Sequence, residues 1–406
     1  MAGRAREPGG GKSACARRHR IRLGTPAHER PGGRLAGTRA GGPACPRGWG
    51  LRRVQRVARA GLNRWVQATA ALALAGAAAW LGWRQYERNW LNTPLNALTE
   101  PVTFDVVQGA SLATVARDLE RRGLLDRPGI WLRHGARTGF ATRIQAGEYR
   151  LLPGTSPATL LDQFVAGDVL LHALAIPEGW TFRQALQLLQ GHALVRVELG
   201  GLTDAELLAR LGIAESHPEG LFFPDTYRFP RGASDRALLL QAHARLEREL
   251  REAWAARAPD LPLTTPREAL ILASLVEKET AVADERPLIA GVFVNRLRMG
   301  VRLQTDPSVI YGLGERFDGN LRRRDLEADT PYNSYTRAGL PPTPIALVGR
   351  EALDAATQPA ETPALYFVAT GLGDGRHYFA ETLGAHNSNV ARHLANLRAG
   401  RDHGVR

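Results

Sequence analysis

Leu272-Ala273-Ser274-Leu275-Val276-Glu277-Lys278-Glu279-Thr280 places a carboxylate at the end of an apolar helix face. Upstream, Thr265-Pro266-Arg267-Glu268 has the form of a capping box with proline at the first helical position, so a helix is predicted to start there. From that start Leu272, Leu275, Val276 and Glu279 fall at i, i+3, i+4 and i+7, one stripe of an amphipathic helix. Glu277 and Lys278 point elsewhere. A carboxyl in an apolar wall has its charged form disfavoured, so its pKa rises and it can donate a proton near neutral pH. The plainer alternative is an ordinary charged last turn.

The surrounding chain of 406 residues is long enough for two modest domains with extensions. Its net charge of +13 is misleading. Residues 1–64 hold sixteen basic and two acidic residues, whereas the rest holds 37 basic against 38 acidic. The basic excess therefore belongs to one segment, and the body carries no nucleic-acid footprint. Residues 1–60 form a basic tail expected to be disordered, rich over 1–50 in Gly, Pro, Ala and Arg with little to bury. Cys15 and Cys45, the two cysteines, both lie in it, which leaves the body without a disulfide framework or a thiolate metal site. No metal-ligand spacing or phosphate loop occurs, and no cofactor is expected. Lys278 is the body's one lysine, in a chain that otherwise uses arginine, and the two cations are not interchangeable at a tight site.

Trp65 to Trp83 is a run of nineteen residues without a charge. At about 1.5 Å per residue, a helix of that length just crosses a hydrocarbon core of about 30 Å. Tryptophans at both ends suit interfacial belts, and Arg52, Arg53, Arg56, Arg59 and Arg64 precede the run. The expectation is a single-pass anchor over 65–83 with a cytoplasmic N-terminus and the body outside. Ala77-Ala78-Ala79 offers the rival reading of a cleaved signal peptide, which the apolar residues continuing to Trp83 oppose.

After a polar linker over 84–100, residues 101–170 read as a strand at Val102–Val106, two helices, a strand at Gly147–Leu151 and a helix capped by Ser156. This small subdomain resembles LysM-type modules, which bind the N-acetylglucosamine-containing glycan of cell walls. Helices dominate from 171 to about 260. Within them Glu219-Gly220-Leu221-Phe222-Phe223-Pro224-Asp225-Thr226-Tyr227 is either a core-lining loop or an aromatic wall for sugar rings. A helix over 287–299 follows the Glu279 helix. Asp306 then reads as an N-cap with Pro307 at the first position, a commoner role for it than catalysis. Thr330-Pro331-Tyr332-Asn333 and Gly339-Leu340-Pro341-Pro342 are rigid loops that could shape a cleft. Leu365–Ala369 and His377–Phe379 read as a hairpin across a Gly-rich turn, before a last helix over 388–398. The fold class is α+β, with a larger mixed domain over 171–406 behind the anchor and the LysM-like subdomain.

Taken together, several blocks resemble the YceG-like family of endolytic murein transglycosylases. They are Glu219-Gly220 with Phe223-Pro224-Asp225-Thr226, Ala273 to Thr280, Asn295-Arg296-Leu297, Leu303-Gln304-Thr305-Asp306-Pro307, Tyr332-Asn333 with Gly339-Leu340-Pro341-Pro342, Tyr366-Phe367-Val368 and His386-Asn387. The resemblance covers roughly 60–400; the Arg-rich tail is the departure, and it bears on the start site alone. It implies cleavage of the β-1,4 bond between N-acetylmuramic acid and N-acetylglucosamine within nascent glycan strands, by a periplasmic domain anchored in the inner membrane. The family's single catalytic glutamate maps onto Glu279, the residue that the helix face selects. Peptidoglycan strands are the implied substrate, with peptidoglycan synthases as implied neighbours.

With one carboxyl, the resemblance implies protonation of the glycosidic oxygen by Glu279 and capture of the sugar by its own 6-hydroxyl, giving a 1,6-anhydro end. Gln304, Asn333 and Asn295 are candidates to hydrogen-bond acetamido groups or, as plainly, to satisfy loop backbone; Asp306 and Tyr332 complete the substrate-binding candidates. Lys278 or a nearby arginine could orient Glu279. Three rivals remain: a muramidase pairing Glu279 with Asp306, a pyridoxal-phosphate lyase using Lys278, and a non-catalytic wall-binding scaffold.

Overall fold

The computed structural model describes residues 52–403, with the backbone alone for 52–63 and 400–403. Most of the basic tail therefore lies outside the described residues; its end, 52–60, belongs to α1 (Arg52–Asn92). Within α1, Arg64–Asn92 is long and apolar enough to cross a membrane. Trp65, Leu72, Leu74, Trp80 and Leu81 are all more than half exposed, so no core among the described residues accounts for this apolar surface.

The other described residues build three cores around three two-stranded antiparallel sheets. The first core takes β1 (Val102–Val106), α2 (Leu112–Arg121), α3 (Pro128–Thr138), β2 (Gly147–Leu151) and α4 (Pro157–Ala166). β1 pairs with β2 in the register Phe104↔Tyr149, and Trp131, Tyr149 and Phe164 fill the centre. Ser111 and Ser156 cap α2 and α4 as their types require. Residues 84–100 are not a free stalk: α1 runs through to Asn92, and Leu91, Leu95 and Leu98 are buried in this core. The leucines, spaced among polar residues, supply apolar surface that a solvated linker would leave in water.

The second core holds β3 (Leu171–Ala175), α5 (Phe182–Gly191), α6 (Asp204–Leu211), β4 (Thr226–Pro230) and the first part of α7 (Asp235–Ala255). β3 pairs with β4, a sheet that the helical reading of this region missed. The aromatic loop lies inside the protein. Leu221, Phe222 and Phe223 are buried, and Phe222 stacks on Phe182 at 5.1 Å between centroids. The sugar-stacking alternative is thereby excluded for those two rings, and the core-lining one holds. Gly220 has φ +76, and a Cβ there would lie 2.4 Å from that of Pro344, so only glycine fits.

The third core surrounds α8 (Pro266–Glu279) and includes α9 (Arg286–Arg298), α10 (Asp306–Leu313) and α12 (Arg350–Thr357), with the short α11 (Arg323–Glu327) outside it. β5 (Tyr366–Ala369), β6 (His377–Ala380) and α13 (Leu383–His403) close the chain. Thr265 caps α8 by accepting from the Glu268 N–H, with Pro266 in the first turn, as the sequence predicts, but the Glu268 carboxylate bonds Thr264 rather than closing the capping box. The amphipathic reading is too narrow, however. Ala269 to Val276 are all buried, because α7, α9, α10 and α12 all pack against this one helix. Ser274 tolerates that burial by donating to the Ile271 carbonyl at 2.7 Å and accepting from the Ile345 N–H at 3.0 Å. The chain emerges only at its last turn, where the carboxylates are.

Candidate active site

Glu279 is the last residue of α8; the helix stops because Thr280 is extended, with φ −147 and ψ 139. The Glu279 carboxyl receives a hydrogen bond from the Thr305 hydroxyl, immediately before α10. Thr305 is presented by an unusual backbone. Gln304 has φ +52, left-handed for a residue other than glycine, a conformation that costs energy unless its surroundings hold it. Here they do: Gln304 N–H donates to the Ser334 carbonyl at 3.1 Å and Thr305 N–H to the Ser334 hydroxyl at 2.9 Å.

Glu279 is partly exposed, yet protein crowds its carboxyl closely enough that desolvation pushes its pKa up to about 7. The Thr305 hydrogen bond opposes that rise and the neighbouring Asp306 charge adds to it. The C-terminal end of α8 also disfavours a carboxylate. At neutral pH the group therefore exists in both protonation states, as an acid that must give and regain a proton requires.

Beside Glu279 opens a cleft of about 450 Å³, whose lining includes Thr280, Asp374, Arg376, His377 and His393 with the glycine-rich turn between β5 and β6. His377 is held by a carboxylate that the sequence did not single out. Glu285, 4% exposed, accepts from the His377 backbone N–H at 3.0 Å and pairs with its Nδ1 at 2.8 Å. Because an ionised carboxylate can only accept, the proton of that contact sits on Nδ1.

The sequence candidates separate into two groups. Gln304 and Asp306 flank Thr305 and are exposed. Gln304 Oε1 accepts from Arg296 at 3.3 Å. Asp306 Oδ1 accepts from the Tyr335 hydroxyl at 2.6 Å, and Asp306 makes no capping bond to α10. Its reading as an N-cap is corrected: the cap position falls on Thr305, whose hydroxyl is turned to Glu279, and Asp306 takes the phenol instead. None of the five lines the cleft itself, and Asn295, Asn333 and Tyr332 are turned into the protein. Asn295 Nδ2 donates to the Thr362 and Ala364 carbonyls at 2.7 and 3.1 Å. Asn333 is fully buried, donates to the carbonyls of Asp325, Leu326 and Ala328, and accepts from the Tyr335 N–H. Tyr332 bonds Thr343 and sets its ring edge-on to Tyr311, 5.0 Å away. The amide nitrogens of Asn295 and Asn333 are committed to backbone carbonyls, as the backbone-satisfying alternative requires, whereas Tyr332 bonds a side-chain hydroxyl. Asn295→Ala should accordingly cost about 1–3 kcal/mol of stability with KM unchanged, measured as a denaturant midpoint beside steady-state kinetics.

Lys278 does not orient Glu279, since its ammonium reaches the Gly179 carbonyl at 3.1 Å. Glu277 accepts from the Gly349 N–H at 3.1 Å and approaches Arg286. A second buried acid, Glu219, is 4% exposed and has a pKa raised to about 7, chiefly by desolvation. It accepts from Phe182 N–H at 2.8 Å and from the Tyr311 hydroxyl at 3.1 Å. It thus ties α10, the helix that Thr305 opens, to the second core.

Compared with known proteins, residues 104–392 match the profile of the YceG-like family. The chain belongs to that family. Relatives include the endolytic murein transglycosylase of Streptococcus pneumoniae, 29% identical over 357 residues, which are 80% of this chain and 64% of that protein. The YceG-like chain described here thus spans less than two thirds of that relative's length. The endolytic murein transglycosylase of Bacillus subtilis is 27% identical over 314 residues, 72% of this chain and 85% of that one. A crystal structure of a YceG-like protein from Listeria monocytogenes is 27% identical, with a TM-score of 0.45, over 71% of this chain and 99% of that one.

Proposed function

We propose that this chain is a membrane-anchored endolytic lytic transglycosylase that cuts the β-1,4 bond between N-acetylmuramic acid and N-acetylglucosamine in peptidoglycan strands. The observation that carries the reading is the Glu279 carboxyl, open to a cleft and protonatable near pH 7, in a chain whose relatives are named for murein transglycosylation.

In this mechanism the protonated Glu279 gives its proton to the bridging oxygen as the C1–O bond breaks. The N-acetylglucosamine side leaves with a free 4-hydroxyl, and the muramic acid C1 becomes oxocarbenium-like. The 6-hydroxyl of the same sugar then bonds to C1 and returns its proton to Glu279. No water is consumed and one carboxyl suffices. A hydrolase would instead need a second carboxyl acting on water or on the sugar. Asp306, close enough for its charge to act on Glu279, is the residue that such a reading would use. Product mass separates the two: fragments from glycan strands should carry anhydro ends, one water lighter than hydrolysed ends, and hydrated ends alone would reject the proposal.

Because the acid form starts the reaction, kcat/KM should fall as pH rises through about 7. Thr305→Val removes a hydrogen bond that favours the carboxylate. The alkaline limb of the pH profile should therefore move upward by about half a unit or more. A profile that instead rises with pH through this range, its acid limb moved upward in the variant, would mean that Glu279 acts from its ionised form.

The anchor is proposed to run over 65–83 with the arginine-rich side in the cytoplasm. The body, with the β1–α2–α3–β2 unit as a LysM-like glycan-binding module, would then face the periplasm and growing strands beside their synthases.

A further inference from the structure

Where the uncharged run of α1 ends, a basic pocket begins. Arg84 and Arg88, one helical turn apart, line a pocket of about 320 Å³ together with Glu87, His134 and Arg137. Arg137 is paired with Glu87, whose side chain is 3% exposed, so those two charges cancel. Arg84 lies 4.8 Å from the centre of the Trp80 ring. Neither Arg84 nor Arg88 has an acidic partner among the described residues. Like charges one turn apart repel, and nothing in this pocket offsets them. α3 brings a further cation alongside: the Arg133 guanidinium lies 5.2 Å from the centre of the Trp83 ring. His134, whose pKa is lowered by burial and then by Arg137, adds a neutral ring rather than another repelling charge.

The depth of these groups along α1 says what could neutralise them. Arg84 and Arg88 lie roughly 1.5 and 7.5 Å beyond Trp83 at the helical rise. The polar layer on either side of a bilayer's hydrocarbon core is about 5–7.5 Å deep. Both guanidinium groups therefore stand at the level of lipid headgroups, beside tryptophans suited to that interface. A guanidinium fork matches two phosphate oxygens, and two forks with no carboxylate of their own define an anion site.

We infer that this pocket binds the phosphate of an anionic phospholipid in the leaflet against which the body rests. The inference depends on α1 crossing a membrane and is independent of the transglycosylase reading. Binding would fix how α3, and through it the first core, sits on the membrane surface.

The full chain in detergent, titrated with phosphatidylglycerol or phosphatidylcholine and read by native mass spectrometry, tests it. Phosphatidylglycerol should be retained about tenfold more tightly than phosphatidylcholine. The Arg84→Gln/Arg88→Gln double variant should lose that preference, while Arg323→Gln/Arg324→Gln, on the exposed α11, should keep it. Equal retention of the two lipids, or an unchanged preference in the Arg84/Arg88 variant, would overturn the site. Displacement by excess inorganic phosphate alone would reassign it to a free anion. Flotation of the wild type with neutral phosphatidylcholine vesicles tests the anchor separately. A chain that floats but shows no lipid preference rejects the pocket; one that stays behind rejects the membrane span on which it rests.

Discussion

Glu279→Gln is expected to eliminate anhydro-ended products, with kcat reduced by about 10³-fold, within the range that general acid–base groups contribute. The amide cannot donate a proton to a departing oxygen or take one from the 6-hydroxyl, so both halves of the reaction lose their proton carrier. Its carbonyl can still accept from Thr305, so the local geometry should survive. The replacement also removes a carboxylate from a site that raises its pKa to about 7. The variant should therefore be at least as stable as the wild type above neutral pH. Glu277→Gln is the matched control. Glu277 bonds the Gly349 backbone and approaches Arg286 rather than reaching the cleft, and its loss should leave activity within about tenfold, the effect of a structural contact near a site. Mass analysis of products from glycan strands reads both variants. Comparable turnover by the Glu279 variant would sink the assignment, and with it the single-carboxylate mechanism.

Much of this arrangement could be read along the chain because it is local. The start of α8 is written in Thr265-Pro266-Arg267-Glu268, and the placing of Glu279 follows by counting turns. What surrounds Glu279 is not local. The Thr305 contact spans 26 residues and depends on a left-handed backbone at Gln304, for which a glutamine gives no signal. Glu285 and His377 meet across 92 residues. Asn295 and Asn333 mislead for the same reason: an amide in a loop suggests a free hydrogen-bonding group until its partner carbonyls, up to 69 residues away, come into view. β3 was hidden because Leu171-His172-Ala173-Leu174-Ala175 alternates too weakly to stand out, and its partner β4 follows about 50 residues later. Phe222 and Phe223 could be read equally as wall or as core, since side-chain type is silent about which face turns inward.

Glu219→Gln should change stability with pH in a way that an exposed glutamate could not. Desolvation raises the Glu219 pKa from 4.5 to about 7, against opposing hydrogen bonds from Phe182, Tyr311 and Gly220. A raised folded-state pKa means that the native protein binds the proton more tightly than the unfolded chain does. Its contribution is fully present below the unfolded pKa and is lost as pH rises through the folded one. Across pH 4.5 to 7 and above, the wild type thus gives up about 3 kcal/mol at this residue, at 1.36 kcal/mol for each pKa unit. Glutamine cannot ionise, its carbonyl can accept from Phe182, and the Tyr311 hydroxyl can reverse to accept from its amide. The variant should therefore match the wild type near pH 4.5 and exceed it by about 3 kcal/mol at pH 9. Unfolding midpoints at the two pH values decide the matter. Glu279 loses stability over the same window, so the wild-type decline should be only partly removed. An advantage of the same size at both pH values would mean that Glu219 ionises as a solvated carboxyl does.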